Sequence, residues 1–235
     1  DILFGRVAPS GHLTDTIAYS IDDYPSTTNF GNDDTNVYEE DIYVGYRYFE
    51  TAAKDKVMYP FGYGLSYTEF STESVVAVQE RFTEEVTVNV TVKNTGARAG
   101  KTVVQLYVSD MESTLTKPVK ELKAFRKVHL EPRESKIVSF TLGRHAFESY
   151  DPNLHTWTME EGYYRISAGF SSTCIEGSCT VYADVESPYS YGANTSVKVL
   201  MEEVRLQETV KSFFAEKKLP WALMLTSYQY TAQDI

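Results

Sequence analysis

The densest run of chemically capable side chains lies between Asn32 and Asp41, where Asp33, Asp34, Glu39, Glu40 and Asp41 supply carboxylates beside Asn36 and Tyr38. Glycoside hydrolysis needs two such acids flanking the scissile bond, ~5 to 10 Å apart. Neighbours such as Glu39 and Glu40 point to opposite faces of an extended chain, which argues against their working as a pair. The run also fails as a calcium loop, because a loop started at Asn32 has Tyr43 where the bidentate Glu should stand. The stretch Asn32 to Glu40 is polar and interrupts an aromatic segment, so Asn36, Tyr38 and Glu40 are the candidate substrate-binding residues of this chain.

Other chemistry is sparse. His12, His129, His145 and His155 are scattered, without partners at metal-ligand spacing, and no second Cys or His pair accompanies Cys174 and Cys179. No metal or cofactor is expected. The two cysteines flank a Gly-containing tip between strand-like runs, which leaves two readings: a disulfide across a hairpin, or two reduced thiols at a surface turn. Gly62-Tyr63-Gly64 lacks the third glycine of a dinucleotide fingerprint and reads as a turn. The sequons Asn89-Val90-Thr91 and Asn194-Thr195-Ser196 matter only in a secreted chain.

The composition bounds the partners. Lys and Arg number 22 against 33 Asp and Glu, a formal net charge of −11 that repels polyanions, so nucleic acid is not an expected partner. With 42% hydrophobic and 14% aromatic residues, the 235-residue chain can bury a substantial core. No apolar run reaches the ~18 to 20 residues needed to cross a bilayer, so a membrane is not expected either. The opening Asp1-Ile2-Leu3-Phe4-Gly5-Arg6 lacks a signal-peptide pattern and starts mid-pattern, as a piece of something longer would.

What must hold these residues is a mainly β scaffold. Val86, Val88, Val90 and Val92 alternate with Thr87, Asn89 and Thr91, the period of a half-buried strand. Further runs at 72–79, 101–109, 120–130, 135–142, 162–170 and 179–185 bring the number to about seven. Seven short strands with turn signals between them predict an antiparallel β-sandwich of immunoglobulin or fibronectin type III kind over 71–190. Residues 1–70 form an aromatic, loop-rich segment with too little periodic apolar sequence for a core of its own. Its rings must pack on the sandwich or on a missing neighbour. Residues 191–235 read as a helical tail or linker, capped at Thr195 or Ser196 and ending near Lys217-Lys218, with a second short helix at 221–225.

The aromatic segment carries a family resemblance. Pro9-Ser10-Gly11-His12-Leu13, Asp23-Tyr24-Pro25-Ser26, Asp41-Ile42-Tyr43-Val44-Gly45-Tyr46-Arg47-Tyr48-Phe49 and Tyr59-Pro60-Phe61-Gly62-Tyr63-Gly64-Leu65-Ser66-Tyr67-Thr68 resemble the end of the α/β sandwich domain of glycoside hydrolase family 3, β-glucosidase type. Val104 to Asp110, Lys117-Pro118-Val119-Lys120-Glu121-Leu122-Lys123-Ala124-Phe125 and Tyr150-Asp151 resemble that family's fibronectin type III-like domain. Gly11-His12-Leu13-Thr14-Asp15-Thr16 and Glu40-Asp41-Ile42-Tyr43 depart from the commonest pattern, and resemble a branch in which the barrel follows these domains.

The resemblance implies a retaining exo-acting hydrolase of terminal β-D-glucosyl residues, with an Asp nucleophile from a (β/α)8 barrel and a Glu acid/base from the α/β sandwich. Neither maps onto this chain, so no catalytic residue is assigned and no role passes to Glu39 or Glu40. The expected partners are the barrel, the rest of the α/β sandwich and, through them, β-glucosides. Tyr43, Tyr46, Tyr48, Phe49, Tyr59, Phe61 and Tyr63 are expected to cement the two domains, with Arg47 as a semi-buried ion-pair partner. A stand-alone carbohydrate- or protein-binding module is the competing reading. It would need exposed coplanar aromatics, whereas Tyr107, Phe125, Phe140, Tyr163, Tyr164 and Phe170 are mostly spaced as core positions.

Overall fold

A computed structural model describes residues 1–31, 34–35, 37–152, 154–186 and 204–217. The chain divides into two units. The larger, Asp1–Glu112 with Lys117–Val185, holds the aromatic segment and the sandwich. In the smaller, the structure describes Ser113–Thr116, Glu186 and a helix, Val204–Glu216, that ends at Lys217. The helix start expected at Thr195 or Ser196 and the second helix at 221–225 lie outside the described residues.

The aromatic segment contributes β1 (Ile17–Ala18), α1 (Tyr46–Ala52) and β2 (Val57–Tyr59), with β1 antiparallel to β2. The sandwich follows: β3 (Phe70–Ala77), β4 (Arg81–Phe82), β5 (Glu85–Asn94), β6 (Gly100–Asp110), β7 (Glu121–Leu130), β8 (Ser135–Gly143), β9 (Ser149–Asp151), β10 (Thr156–Thr158), β11 (Gly162–Gly169) and β12 (Ile175–Ala183). Its two sheets have the orders β3-β5-β8 and β4-β12-β11-β6-β7, and β9 pairs with β10 as a separate hairpin. Seven of these strands are the seven that hydrophobic periodicity marks.

The two sheets close over one core. Val86, Val88, Val90 and Val92 of β5 are fully buried, opposite Leu142, Phe140, Val138 and Lys136 of β8 in register. They meet Val104 and Leu106 of β6, Ile166 and Ala168 of β11 and Val181 of β12 in a single cluster. Each fully buried Val contributes about 1.5 to 3 kcal/mol, so these positions dominate the stability of the sandwich.

β5 shows clean alternation of buried and half-buried residues, as a strand covered on one face should. β6 does not: Val104 through Val108 are buried without a break. A strand buried on both faces reads this way, and the second cover is the aromatic segment. The cover reaches the start of the edge strand β7, at Glu121 and Leu122, but not Phe125, which is 68% exposed, and Tyr163 at the far end of β11 is 48% exposed. Those two positions are therefore surface, not core; Tyr107, Phe140 and Tyr164 are core.

β12 begins four residues earlier than the expected start at Cys179, and contains Gly177 within it. Gly177 is no turn residue here. A Cβ at that position would stand 2.8 Å from Val75 Cγ2 of β3, so glycine permits the two sheets to approach. The hairpin tip lies instead between Gly169 and Ile175, which face each other in register.

Candidate functional site

The chain's most elaborate constellation is the seam between α1 and the outer face of the five-stranded sheet. Tyr46, Phe49, Glu50 and Ala53 recur at the spacing of one helix face. The helix starts after Gly45, whose φ of 58° glycine adopts without strain. Phe49 and Ala53 pack with Ala18, and the Tyr24 ring stands edge-on to Phe49 at 5.4 Å. The Tyr46 ring lies 4.8 Å from Phe61 and 5.9 Å from Tyr107 of β6. Its hydroxyl accepts the Leu122 N–H of β7 at 2.7 Å.

Charge pairs run alongside the rings. Arg47 Nη2 stands 3.0 Å from Glu121 Oε1, with the two side chains 39% and 20% exposed. Lys120 Nζ stands 3.1 Å from Glu50 Oε2, also donates to the Ser172 carbonyl, and lies 5.5 Å from the Tyr107 ring centroid. Tyr107 donates to Gln105 Oε1, and burial, followed by the nearby Tyr46 and Glu50, holds its hydroxyl far above the usual tyrosine range. The Phe61 carbonyl accepts the Ser172 N–H at 2.8 Å. Gly62 follows with φ +83°, and a Cβ there would stand 2.4 Å from Gln105 Nε2.

A second lysine anchors the far side. Lys117 Nζ lies 2.6 Å from Asp110 and 3.1 Å from Glu160, all three side chains nearly buried, and the Lys117 carbonyl accepts the Tyr43 hydroxyl at 3.3 Å. Tyr164 donates to the Glu160 carbonyl, and burial, aided by Asp110 and Glu160, pushes its hydroxyl upward as well. The buried acids Glu50, Glu148, Asp151 and Glu160 thus each have a partner: Lys120, Arg144 with His145, the Leu154 N–H, and Lys117. Such an arrangement fixes one structure on another.

The expected site residues divide into groups. Tyr43, Tyr46, Arg47 and Phe61 converge on the seam, while the Tyr48 and Phe49 rings meet edge-on at 5.1 Å in the cluster with Ala18. The Tyr59 and Tyr63 rings meet at a tilt, 5.0 Å apart, and remain 42% and 36% exposed. With Pro9, Leu13, Ile17 and Leu65 they line an open apolar depression of about 750 Å³. Tyr38 is 78% exposed, Glu40 is half-buried in a turn whose carbonyl accepts the Tyr43 N–H, and Asn36 lies outside the described residues. Nothing in the geometry brings Tyr38 and Glu40 to the seam.

Cys174 and Cys179 are free thiols, the first exposed and the second half-buried. They do not face each other across the hairpin: Cys179 lies in β12 opposite Ile166, and Cys174 stands at the tip just before that strand. Four residues of near-extended chain separate them, too far for a bridge. Burial pushes both thiols up, with Glu176 adding to the effect at Cys174. Among the described residues, no three of His, Cys, Asp and Glu gather as a metal-ligand set, and no helix is long and apolar enough to cross a membrane.

Sequence reasoning missed Glu50, Lys117, Lys120 and Gln105 as the polar members of the seam. The available signal was a lone Glu following four aromatic or basic positions, and Lys117 and Lys120 inside the motif at 117–125.

A fibronectin-like sandwich with an aromatic segment clamped to one sheet defines the structural class, and known proteins share its sequence. Residues 1–67 match the glycosyl hydrolase family 3 C-terminal domain, and residues 102–172 match the fibronectin type III-like domain. Thermostable beta-glucosidase B of Acetivibrio thermocellus is 40% identical over 208 residues, 86% of this chain and 27% of that protein. An exo-alpha-(1->6)-L-arabinopyranosidase of Bifidobacterium breve is 41% identical over 182 residues, 77% of this chain and 24% of that protein. The crystal structure of the Bifidobacterium adolescentis GH3 beta-glucosidase superposes with a TM-score of 0.77 at 34% identity, over 89% of this chain and 31% of that one.

The chain belongs to glycoside hydrolase family 3, carrying residues of its C-terminal domain and its fibronectin type III-like domain. It spans about a quarter of the length of the curated relatives it matches.

Proposed function

We propose that this chain is the non-catalytic structural portion of a retaining exo-β-glucosidase-like hydrolase, with the nucleophile and acid/base supplied by domains outside it. In this reading residues 1–70 complete the α/β sandwich domain and the aromatic linker, 71–190 form the fibronectin type III-like domain, and 191–235 lead towards a further domain. The observation that carries the proposal is the seam. The regions matching the two family domains are joined by Glu50–Lys120 and Arg47–Glu121, so these acids serve as fasteners. Terminal β-D-glucosides are the substrate class, on the strength of the beta-glucosidase relatives.

The mass of the native polypeptide in its source, read with an antibody against this chain, tests the proposal. A band several times 26.6 kDa is expected. A band at 26.6 kDa would overturn it in favour of an independent module. Turnover of an aryl β-glucoside by the purified chain, abolished by Glu40→Gln, would overturn it too.

A further inference from the structure

A cavity of about 310 Å³ lies at one end of the sandwich core, and the seam does not use it. Its floor belongs to the sandwich. Phe70 at the start of β3 and Phe170 just after β11 are half-buried against the core, with ring centroids 6.3 Å apart, and Lys101 and Thr102 of β6 lie beside them. His12 and residues 62–66 close the remaining side. Gly64 permits that close fit, because a Cβ there would collide with the Gly11 carbonyl and stand 2.9 Å from His12 Nδ1.

The polar groups around this cavity have hydrogen-bonding capacity to spare. Thr102 is only 4% exposed, yet its hydroxyl makes no hydrogen bond among the described residues. Buried hydroxyls are normally satisfied, so this one calls for whatever fills the cavity. Ser66 Oγ accepts the Thr68 N–H at 3.4 Å, which leaves its own proton to donate. His12 Nδ1 donates to the Gly62 carbonyl at 2.7 Å, so the neutral ring presents Nε2 as an acceptor. Lys101 is exposed and has no carboxylate partner among the described residues, in a chain with 33 acids to 22 Lys and Arg. The lining contains no Asp or Glu.

We infer that this cavity is a binding site for a small hydroxylated anion of monosaccharide size, a sugar acid or a sugar phosphate. Lys101 takes the charged group, Thr102 and Ser66 donate to its oxygens or to neighbouring hydroxyls, and His12 Nε2 accepts from one hydroxyl. The C–H face of the sugar ring lies against Phe70 and Phe170, as in sites where apolar walls carry a few placed polar groups. A neutral sugar would leave the Lys101 charge unanswered, and a bare inorganic anion would leave the aromatic floor in water. The inference does not depend on where the parent's catalytic residues lie.

Cys174 supplies a reporter in the full chain, since it lines the cavity, is exposed, and has its backbone N–H held by Ser171 Oγ at 2.9 Å. With Cys179→Ser removing the other thiol, glucuronate and glucose 6-phosphate, tested as separate arms, should each be able to slow labelling of Cys174 by a thiol reagent, and the arm that saturates at lower concentration assigns the charged group. Glucose and inorganic phosphate should need about tenfold more, lacking the charge or the ring. Lys101→Met should weaken binding roughly tenfold or more and Thr102→Val about three- to tenfold, with Lys101→Arg keeping most of it. Lys101 is exposed and valine matches threonine in shape, so both variants should melt like the parent chain. Labelling unaffected by either sugar anion would overturn the inference. So would slowing by inorganic phosphate or by glucose as strong as by the sugar anions, or protection that survives both Lys101→Met and Thr102→Val.

Discussion

Lys120 and Glu50 meet at 3.1 Å with side chains only 15% and 6% exposed, and they join α1 of the aromatic segment to the start of the Lys120–Leu130 stretch that enters the five-stranded sheet. Neither charge can be left behind cheaply. Removing one partner of a buried pair strands the other, at about 3 to 5 kcal/mol, whereas replacing both with apolar side chains of similar size is often neutral. Lys120→Met or Glu50→Leu should therefore lower the urea midpoint sharply, and the double variant should recover most of the loss. A double variant as unstable as the sum of the singles would mean that the two residues act independently.

The Arg47–Glu121 pair is more open, and its contribution is smaller. With 39% of the Arg47 side chain in solvent, ~0.2 to 1 kcal/mol is the expected scale. Arg47→Ala should cost about that much together with the packing of its stem, and Arg47→Lys less than Arg47→Ala. In the complete enzyme, turnover per folded molecule should stay unchanged. A variant that melts normally yet loses turnover would place Arg47 in the catalytic machinery and contradict the structural role.

Gly62 is constrained twice, by its φ of +83° and by the Gln105 amide and Ser171 backbone that crowd its Cα. Gly62→Ala should destabilise by about 1 to 3 kcal/mol from backbone strain, with the contact adding to it. The contact is separable. In a Gln105→Ala background the penalty for Gly62→Ala should shrink, and an unchanged penalty would show that the backbone angle alone is responsible.

The sandwich was legible because its signal is local and periodic: the alternation from Val86 to Val92 states which face is buried before any partner is known. The aromatic segment was legible only through its motifs. Tyr46, Phe49 and Glu50 lie on a seven-residue helix flanked by Gly45 and Ala53, too short for a repeating pattern to stand out. The seam was illegible for a different reason. Glu50 and Lys120 are 70 positions apart, and nothing in either stretch names the other. Exposure of Phe125 and Tyr163 was hidden likewise, since spacing within a strand cannot report how far a neighbouring segment covers the sheet. Gly177 misled as punctuation because a glycine needed for sheet approach looks the same as one needed for a turn.

Tyr107 and Tyr164 set the alkaline limit of stability. Burial holds both hydroxyls protonated in the fold well above the ordinary value of 10.0. Because the folded-state values are raised, their contribution is fully present below pH 10 and is lost as pH rises above it, where unfolding lets the phenols ionise. Unfolding free energy should therefore fall with increasing steepness above pH 10, and the tyrosinate absorbance should show a fraction that appears only with unfolding. Tyr107→Phe removes one of the two groups and the hydrogen bond to Gln105. It should lower stability at pH 7 by about 0.5 to 1.5 kcal/mol and flatten the alkaline slope. An alkaline slope unaltered by Tyr107→Phe would mean that Tyr107 ionises in the folded protein, and that the polar seam around it is open to water.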